Sequence, residues 1–236
     1  RLAPLVMAIC AAAAVLPPVP AQGGDPAPMI EKLRAVGPQA QGHREATAAW
    51  RDLVEQADAE QLPSILAGLD GANPLAANWI RTAADAVAER AVRRDGKLPC
   101  DKLAALLRNT DHGPRARQLA FNWLREVDPE AAGALIPGLL DDPSLALRRE
   151  AVRRLTEEAI AALEQSGPSE ATPLFRRAFE AARDLDQVRG LAKRLDDLGE
   201  EVDLTRHFGF ITRWKVIGPF DNTGERGFDV VYPPEE

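Results

Sequence analysis

The sequence predicts an all-α fold built of antiparallel helix pairs, with a short β segment at its C-terminal end. Three observations carry that prediction. Apolar residues return at a 3.6-residue period through most of the chain, which is the spacing of a single buried helix face. A single tyrosine, and hardly any β-branched run before residue 210, leave little from which strands could be built. Clusters of Asp, Asn, Gly and Pro punctuate the periodic stretches at short intervals, as helix hairpins require.

Residues 1–21, RLAPLVMAICAAAAVLPPVPA, place one positive charge before an apolar core from Leu5 to Leu16 and end in Val19-Pro20-Ala21. This is the pattern of a secretory signal peptide cut after Ala21. The core is shorter than the roughly 20 apolar residues that cross a bilayer. An exported protein, periplasmic or extracellular, with no stable membrane span after cleavage is therefore expected. Ile9 precedes Cys10 where a lipoprotein signal wants a small residue, so Cys10 reads as part of the apolar core. Cleavage leaves Cys100 alone, with no intramolecular disulfide open to it.

A linker over residues 22–28 leads into helices at Met29 to Val36 and through Ala46, Ala49, Trp50, Leu53, Val54 and Ala57. The next pair is expected at Gln61 to Leu69 and Ala76 to Ala91, with Ile80, Ala83, Ala84, Val87 and Ala91 facing inward. Asp70-Gly71 and Asn73-Pro74 supply the turn between them. Another pair follows at Asp101 to Leu107 and Arg115 to Val127. The clearest unit is residues 130–163, where Ala134, Leu135, Gly138, Leu139 and Leu140 form one stripe and Asp142-Pro143 stops the helix. Leu147, Ala151, Val152, Leu155 and Ala159 then restart the period. Charges fill the opposite face, with Glu150/Arg154, Arg153/Glu157 and Arg154/Glu158 spaced as i,i+4 pairs worth a few tenths of a kcal/mol each.

This unit resembles a HEAT repeat of the armadillo-like helical family. The resemblance rests on Leu139 and Leu140 closing the first helix, the Asp142-Pro143 turn, and Leu147, Arg148 and Ala151 opening the second. Asp111, Arg117 and Ala120 occupy the corresponding places one pair earlier. In the pair before that, Trp79 or Ile80 falls where the arginine belongs. The resemblance implies an α-solenoid over residues 29–165 and a structural ladder between neighbouring repeats, made by Asp111, Arg117, Asp142 and Arg148. Pro137 sits where the family tolerates a kink in its first helix.

Residues 166–205 are expected to close the stack as a helical hairpin or as one long helix bent around Gly190. Their stripe runs through Leu174, Phe175, Ala178, Phe179 and Ala182, then Val188, Leu191, Ala192, Leu195 and Leu198. In residues 206–236 the period becomes 2, through Phe210, Ile211, Trp214, Val216 and Ile217, and again at Phe228 to Tyr232. The strings Trp214-Lys-Val-Ile-Gly-Pro-Phe-Asp-Asn and Val231-Tyr-Pro-Pro-Glu resemble the junction at which exported bacterial helical-repeat proteins pass into a galactose-binding-like β-sandwich. That resemblance implies a sandwich continuing past Glu236.

The candidate chemistry is sparse. The three histidines, His43, His112 and His207, fall on different elements without the spacing of a metal site. Cys100 has no histidine near it in sequence to activate a thiolate, and no serine sits in a Gly-x-Ser-x-Gly elbow. Asp221, Thr223 and Glu225 alternate like the start of a calcium loop, but Tyr232 stands where the closing glutamate should be. Trp214, Phe220 and Tyr232 could stack on a sugar, although alternating aromatics more commonly fill a sandwich core. A haem attachment motif is absent. The net charge of −7, one unit more negative once Arg1 is removed, and the interleaving of arginines with acids argue against nucleic acid as a partner.

The sequence therefore predicts no enzyme and no cofactor. It predicts a scaffold that binds a protein partner, with the alternative that the chain is the helical part of a larger exported protein binding or processing polysaccharide.

Overall fold

The computed structural model describes residues 24–216, 218–219 and 222–225. The expected signal peptide, Phe220 and the expected strand Phe228 to Tyr232 lie outside the described residues. The described residues fall into two compact units that divide between Arg154 and Leu155.

The first unit opens with α1 (Ala27–Arg34), α2 (His43–Gln56), a single 3-10 turn at Ala59–Gln61 and α3 (Leu62–Ala67). It continues with α4 (Pro74–Asp95), α5 (Cys100–Arg108), α6 (Pro114–Val127), α7 (Pro129–Leu135), a second 3-10 turn at Ile136–Leu139, and the first part of α8 (Leu145–Ser166). Prolines mark most of the starts, because proline's missing N–H costs nothing in a first turn. Pro28, Pro74, Pro114 and Pro129 all stand there. Asn73 caps α4 by accepting from the N–H groups of Leu75 and Ala76 at 2.9 and 3.0 Å. Gly96 ends the same helix with φ 65°, a left-handed geometry that glycine adopts without steric cost.

α1 packs on α2, α3 on α4 and α5 on α6, and the pairs meet through α2 on α4 and α3 on α6. The core they enclose contains Leu33, Ala46, Leu53, Leu62, Ile65, Ile80, Ala83, Val87, Leu103, Ala116 and Ala120. The inward stripe expected for the fourth helix is buried at every position from Ile80 to Ala91. Gly68 lies so close to α1 that an added Cβ would stand 2.6 Å from Ile30 Cγ2.

The Asp142-Pro143 turn separates two helical stretches, and of the stripe expected before it Leu139 and Leu140 are buried, whereas Ala134 and Gly138 are exposed. Its first helix is shorter, because α7 ends at Leu135 and tightens to 3-10 over Ile136–Leu139. Pro137 cannot donate to the α-helical ladder and its ring crowds the preceding turn, which accounts for the change. Of the charged pairs, Glu150 is shared by Arg153 at 3.1 Å and Arg125 of α6 at 3.6 Å.

The second unit holds the rest of α8, then α9 (Pro168–Ala181), α10 (Leu185–Asp197) and α11 (Leu204–His207). α9 and α10 pack as a hairpin around Phe175, Ala178, Val188, Leu191 and Leu195. The break falls at 182–184, and Gly190 lies inside α10. Residues 210–216, expected as a strand, have no regular secondary structure. A strand needs a laddered neighbour for its N–H and C=O groups, and none lies among the described residues. Trp214, expected in a core, is 74% exposed and Phe210 66%.

Candidate functional site

The turns at one end of the helix pairs are linked to one another by polar side chains. Arg34 Nη1 donates to the carbonyls of Gly68 and Asp70, both at 2.7 Å. The Asn73 amide returns the link by donating to the Val36 carbonyl at 2.8 Å. Asp70 then reaches the following turn, with Oδ1 accepting from the Gly113 N–H and Oδ2 paired with His112 Nδ1, both at 2.7 Å. Arg115 donates to the Ala72 carbonyl across the same gap.

The last rung is the Arg117/Asp142 pair. Arg117 Nη1 donates to Asp142 Oδ1 at 2.9 Å, Nη2 donates to Oδ2, and Nε donates to the Leu107 carbonyl at 2.8 Å. Both side chains are almost fully buried, at 2% and 4% exposure. Asp142 Oδ1 also accepts from the Ser144 N–H, so the carboxylate is held from two sides.

Of the four residues expected to form the ladder, the structure brings Arg117 and Asp142 together. Arg148 reaches the same turn, but its Nε donates to the main-chain carbonyl of Asp142 at 2.9 Å. Asp111 is exposed, and its place in the connection is taken by Asp70. Neither Trp79, which packs on His43 of α2, nor Ile80, which is buried in the core, makes a turn contact among the described residues. The histidines serve packing and turns. His43 meets the Trp79 ring edge-on, His112 holds Asp70, and His207 contacts the Ala182 carbonyl and the Phe179 ring.

A groove runs along the second helices of the pairs. Its first stretch, about 490 Å³, lies between α4, α6 and the start of α8 and is lined in part by Asn78, Arg81, Arg115, Gln118 and Asn122. A second stretch of about 600 Å³ adds Asp85, Glu89, Arg93, Trp123, Arg125 and Glu126, and the two share Arg81, Leu119 and Asn122. Gln118 Oε1 is buried in the wall without a hydrogen-bond partner. Among the described residues no group of His, Cys, Asp and Glu could hold a metal ion, and no helix is long and apolar enough to cross a membrane.

The groove walls come from a repeated string that the periodicity of apolar residues does not single out. Leu75-Ala-Ala-Asn-Trp-Ile-Arg81 on α4 returns as Leu119-Ala-Phe-Asn-Trp-Leu-Arg125 on α6. In both copies the Asn and Arg are exposed, the Trp is half-buried, and the following Ile or Leu is buried. Trp123 Nε1 donates to Asp85 Oδ1 of α4 at 2.9 Å, and Trp50 Nε1 of α2 donates to Thr82 Oγ1 at 3.1 Å. Indole donors thus tie α2 to α4 and α4 to α6. Comparing the sequence with itself at an offset of 44 residues reveals the repetition, although the two copies begin at different distances from their helix starts.

Cys100 is free, half-buried, and its thiol is pushed up by burial and by the nearby Asp128 and Asp101. Such a thiol stays protonated near neutral pH and is a poor nucleophile. No protein family, curated protein or solved structure compared with the chain matches it.

Proposed function

We propose that the protein is an exported, non-catalytic helical-repeat scaffold of the HEAT type whose α4/α6 groove receives a segment of a protein partner. The observation that carries this reading is the repeated Asn-Trp-(Ile/Leu)-Arg unit. In each copy the Ile or Leu is buried and the Asn and Arg line the groove from exposed positions. Arg81 has no partner among the described residues, Asn122 Oδ1 accepts from Gln118 Nε2 at 3.1 Å, and Arg125 lies 3.6 Å from Glu150. Stacked helix pairs with a ladder of turn contacts make a stiff frame, and stiff frames lower the ordering cost of binding an extended partner.

Replacing Asn78 or Asn122 by Trp fills the groove from an exposed position. The mature chain should capture a discrete set of proteins from the exported fraction of its own cell, and both variants should lose that set while keeping the helical circular dichroism of the parent. Retention of the same proteins by both variants would refute the reading.

A second reading has one observation in its favour. Trp214 and Phe210 present open aromatic faces, as a carbohydrate-binding segment of a larger exported protein would. Sedimentation with insoluble polysaccharide, abolished by Trp214→Ala, would support it, and no sedimentation at all would dismiss it.

A further inference from the structure

We infer that the first stretch of the groove receives an acidic, extended peptide segment, whose carboxylates meet Arg81 and Arg115 and whose main chain meets the Asn78 and Asn122 amides. This rests on the binding role proposed for the groove and adds the chemistry of the occupant. The charge pattern carries it. The chain as a whole has a net charge of −7, yet the residues lining this stretch include two arginines and no carboxylate. The Arg81 guanidinium has neither an ion pair nor a hydrogen bond among the described residues, and Arg115 makes only a 3.3 Å contact with the Ala72 carbonyl. An arginine offers five donors in a fixed fork that suits a carboxylate.

The nearest acid along α4, Asp85, is occupied by the Trp123 indole. It lies in the adjoining stretch, where Glu89 and Glu126 are mixed with Arg93 and Arg125. A ligand lying along both stretches is therefore favoured when its acidic end rests on Arg81 and Arg115. Asparagine carries both a donor and an acceptor. Asn122 Oδ1 already accepts from Gln118 Nε2 at 3.1 Å, which leaves its NH2 to donate to a peptide C=O, while the Asn78 amide can pair with both the N–H and the C=O of an extended chain without regard to its side chains. Peptide is favoured over a small anion because the two stretches adjoin along α4, which at about 1.5 Å per residue has room for several extended residues.

The test is fluorescence anisotropy of the full chain with labelled decaglutamate, decaglutamine and oligogalacturonate, together with hydrogen exchange of the unsubstituted protein with and without decaglutamate. Decaglutamate should bind, decaglutamine should not, and binding should weaken as salt rises. Arg81→Gln and Arg115→Gln should each weaken it by about tenfold or more, whereas Arg51→Gln, on α2 and outside the groove, should leave it unchanged. Protection should appear at residues 74–92 and 114–126, a readout that needs no variant to fold.

Three results overturn the inference: no binding of decaglutamate, equal binding of decaglutamine, or protection confined to other helices. Oligogalacturonate binding in place of decaglutamate also overturns it and identifies an acidic polysaccharide. If decaglutamate fails while the Asn78→Trp and Asn122→Trp variants still lose the captured proteins, the groove retains its binding role and only the acidic occupant is wrong.

Discussion

Arg117 and Asp142 form the most buried ion pair among the described residues, and removing one partner would strand the other charge in the core. Arg117→Met should therefore cost about 3–5 kcal/mol. In urea unfolding, a cycle of Arg117→Met with Asp142→Asn should show coupling of at least about 1 kcal/mol. Arg117 with Asp111 should be additive, because Asp111 is not in the pair. Arg148 should couple weakly to Asp142, since it bonds a main-chain carbonyl that no substitution at 142 removes. Leu155 is buried and Arg154 is exposed, so Leu155→Ala should cost about 2–5 kcal/mol and Arg154→Ala well under about 1. Glu150 and Cys100 contribute to the pH dependence. Arg153, by hydrogen bonding, and Arg125, by charge, hold the Glu150 carboxyl below its usual range, so Glu150 stabilises the fold above its unfolded pKa and that contribution is lost as pH falls through its depressed folded value. Burial raises the Cys100 thiol, so its contribution is present below the unfolded pKa and lost as pH rises through the raised one. Iodoacetamide should accordingly modify Cys100 more slowly than free cysteine at neutral pH.

At the level of elements, Asn73 does two things that its sequence neighbours foretell only in part. The Asn-Pro pair marks a helix start, and Asn73 indeed caps α4. That its amide also reaches the Val36 carbonyl depends on a tertiary approach that no local pattern encodes. Asn73→Ala should thus cost more than the usual cap loss of about 1 kcal/mol, measured by thermal unfolding. Gly68 is a similar case. It lies at the end of α3, and only the packing of α3 against α1 makes its missing Cβ necessary, so Gly68→Ala should destabilise by about 1–3 kcal/mol. Helix existence was legible, because the stripes at 46–57, 76–91 and 147–159 are strict. The 3-10 turn at Ile136 was half legible, since Pro137 announces a defect without saying that the helix would tighten rather than kink. Of the residues named for the ladder, Arg117 pairs with Asp142 and Arg148 donates to the Asp142 carbonyl, contacts whose pairing the sequence spacing does not specify. Asp70 links its turn to His112 and Gly113, whereas Asp111 is exposed.

For the whole molecule, the sequence conveys an all-helical body and the structure has one, whereas the segment after residue 208 follows a period of 2 without forming a strand among the described residues. Alternation in sequence states which side chains share a face, and a sheet exists only when another strand supplies the hydrogen bonds. The amides of residues 211–216 should therefore exchange as freely as a coil, whereas the Phe210 amide, which donates to the Thr205 carbonyl at 3.0 Å, should not. The groove was the least legible feature. Its Asn and Arg residues lie on exposed faces that an apolar-stripe reading treats as solvated, and only the repetition of Asn-Trp-(Ile/Leu)-Arg on adjacent helices shows that those faces belong together. The most direct test of this account is photo-crosslinking in the source cell's exported fraction, with benzoylphenylalanine placed at Asn78, at Asn122 and, outside the groove, at Arg51. The account predicts discrete protein adducts from 78 and 122 and none from 51. Equal adducts from all three positions, or none from the groove, would contradict it.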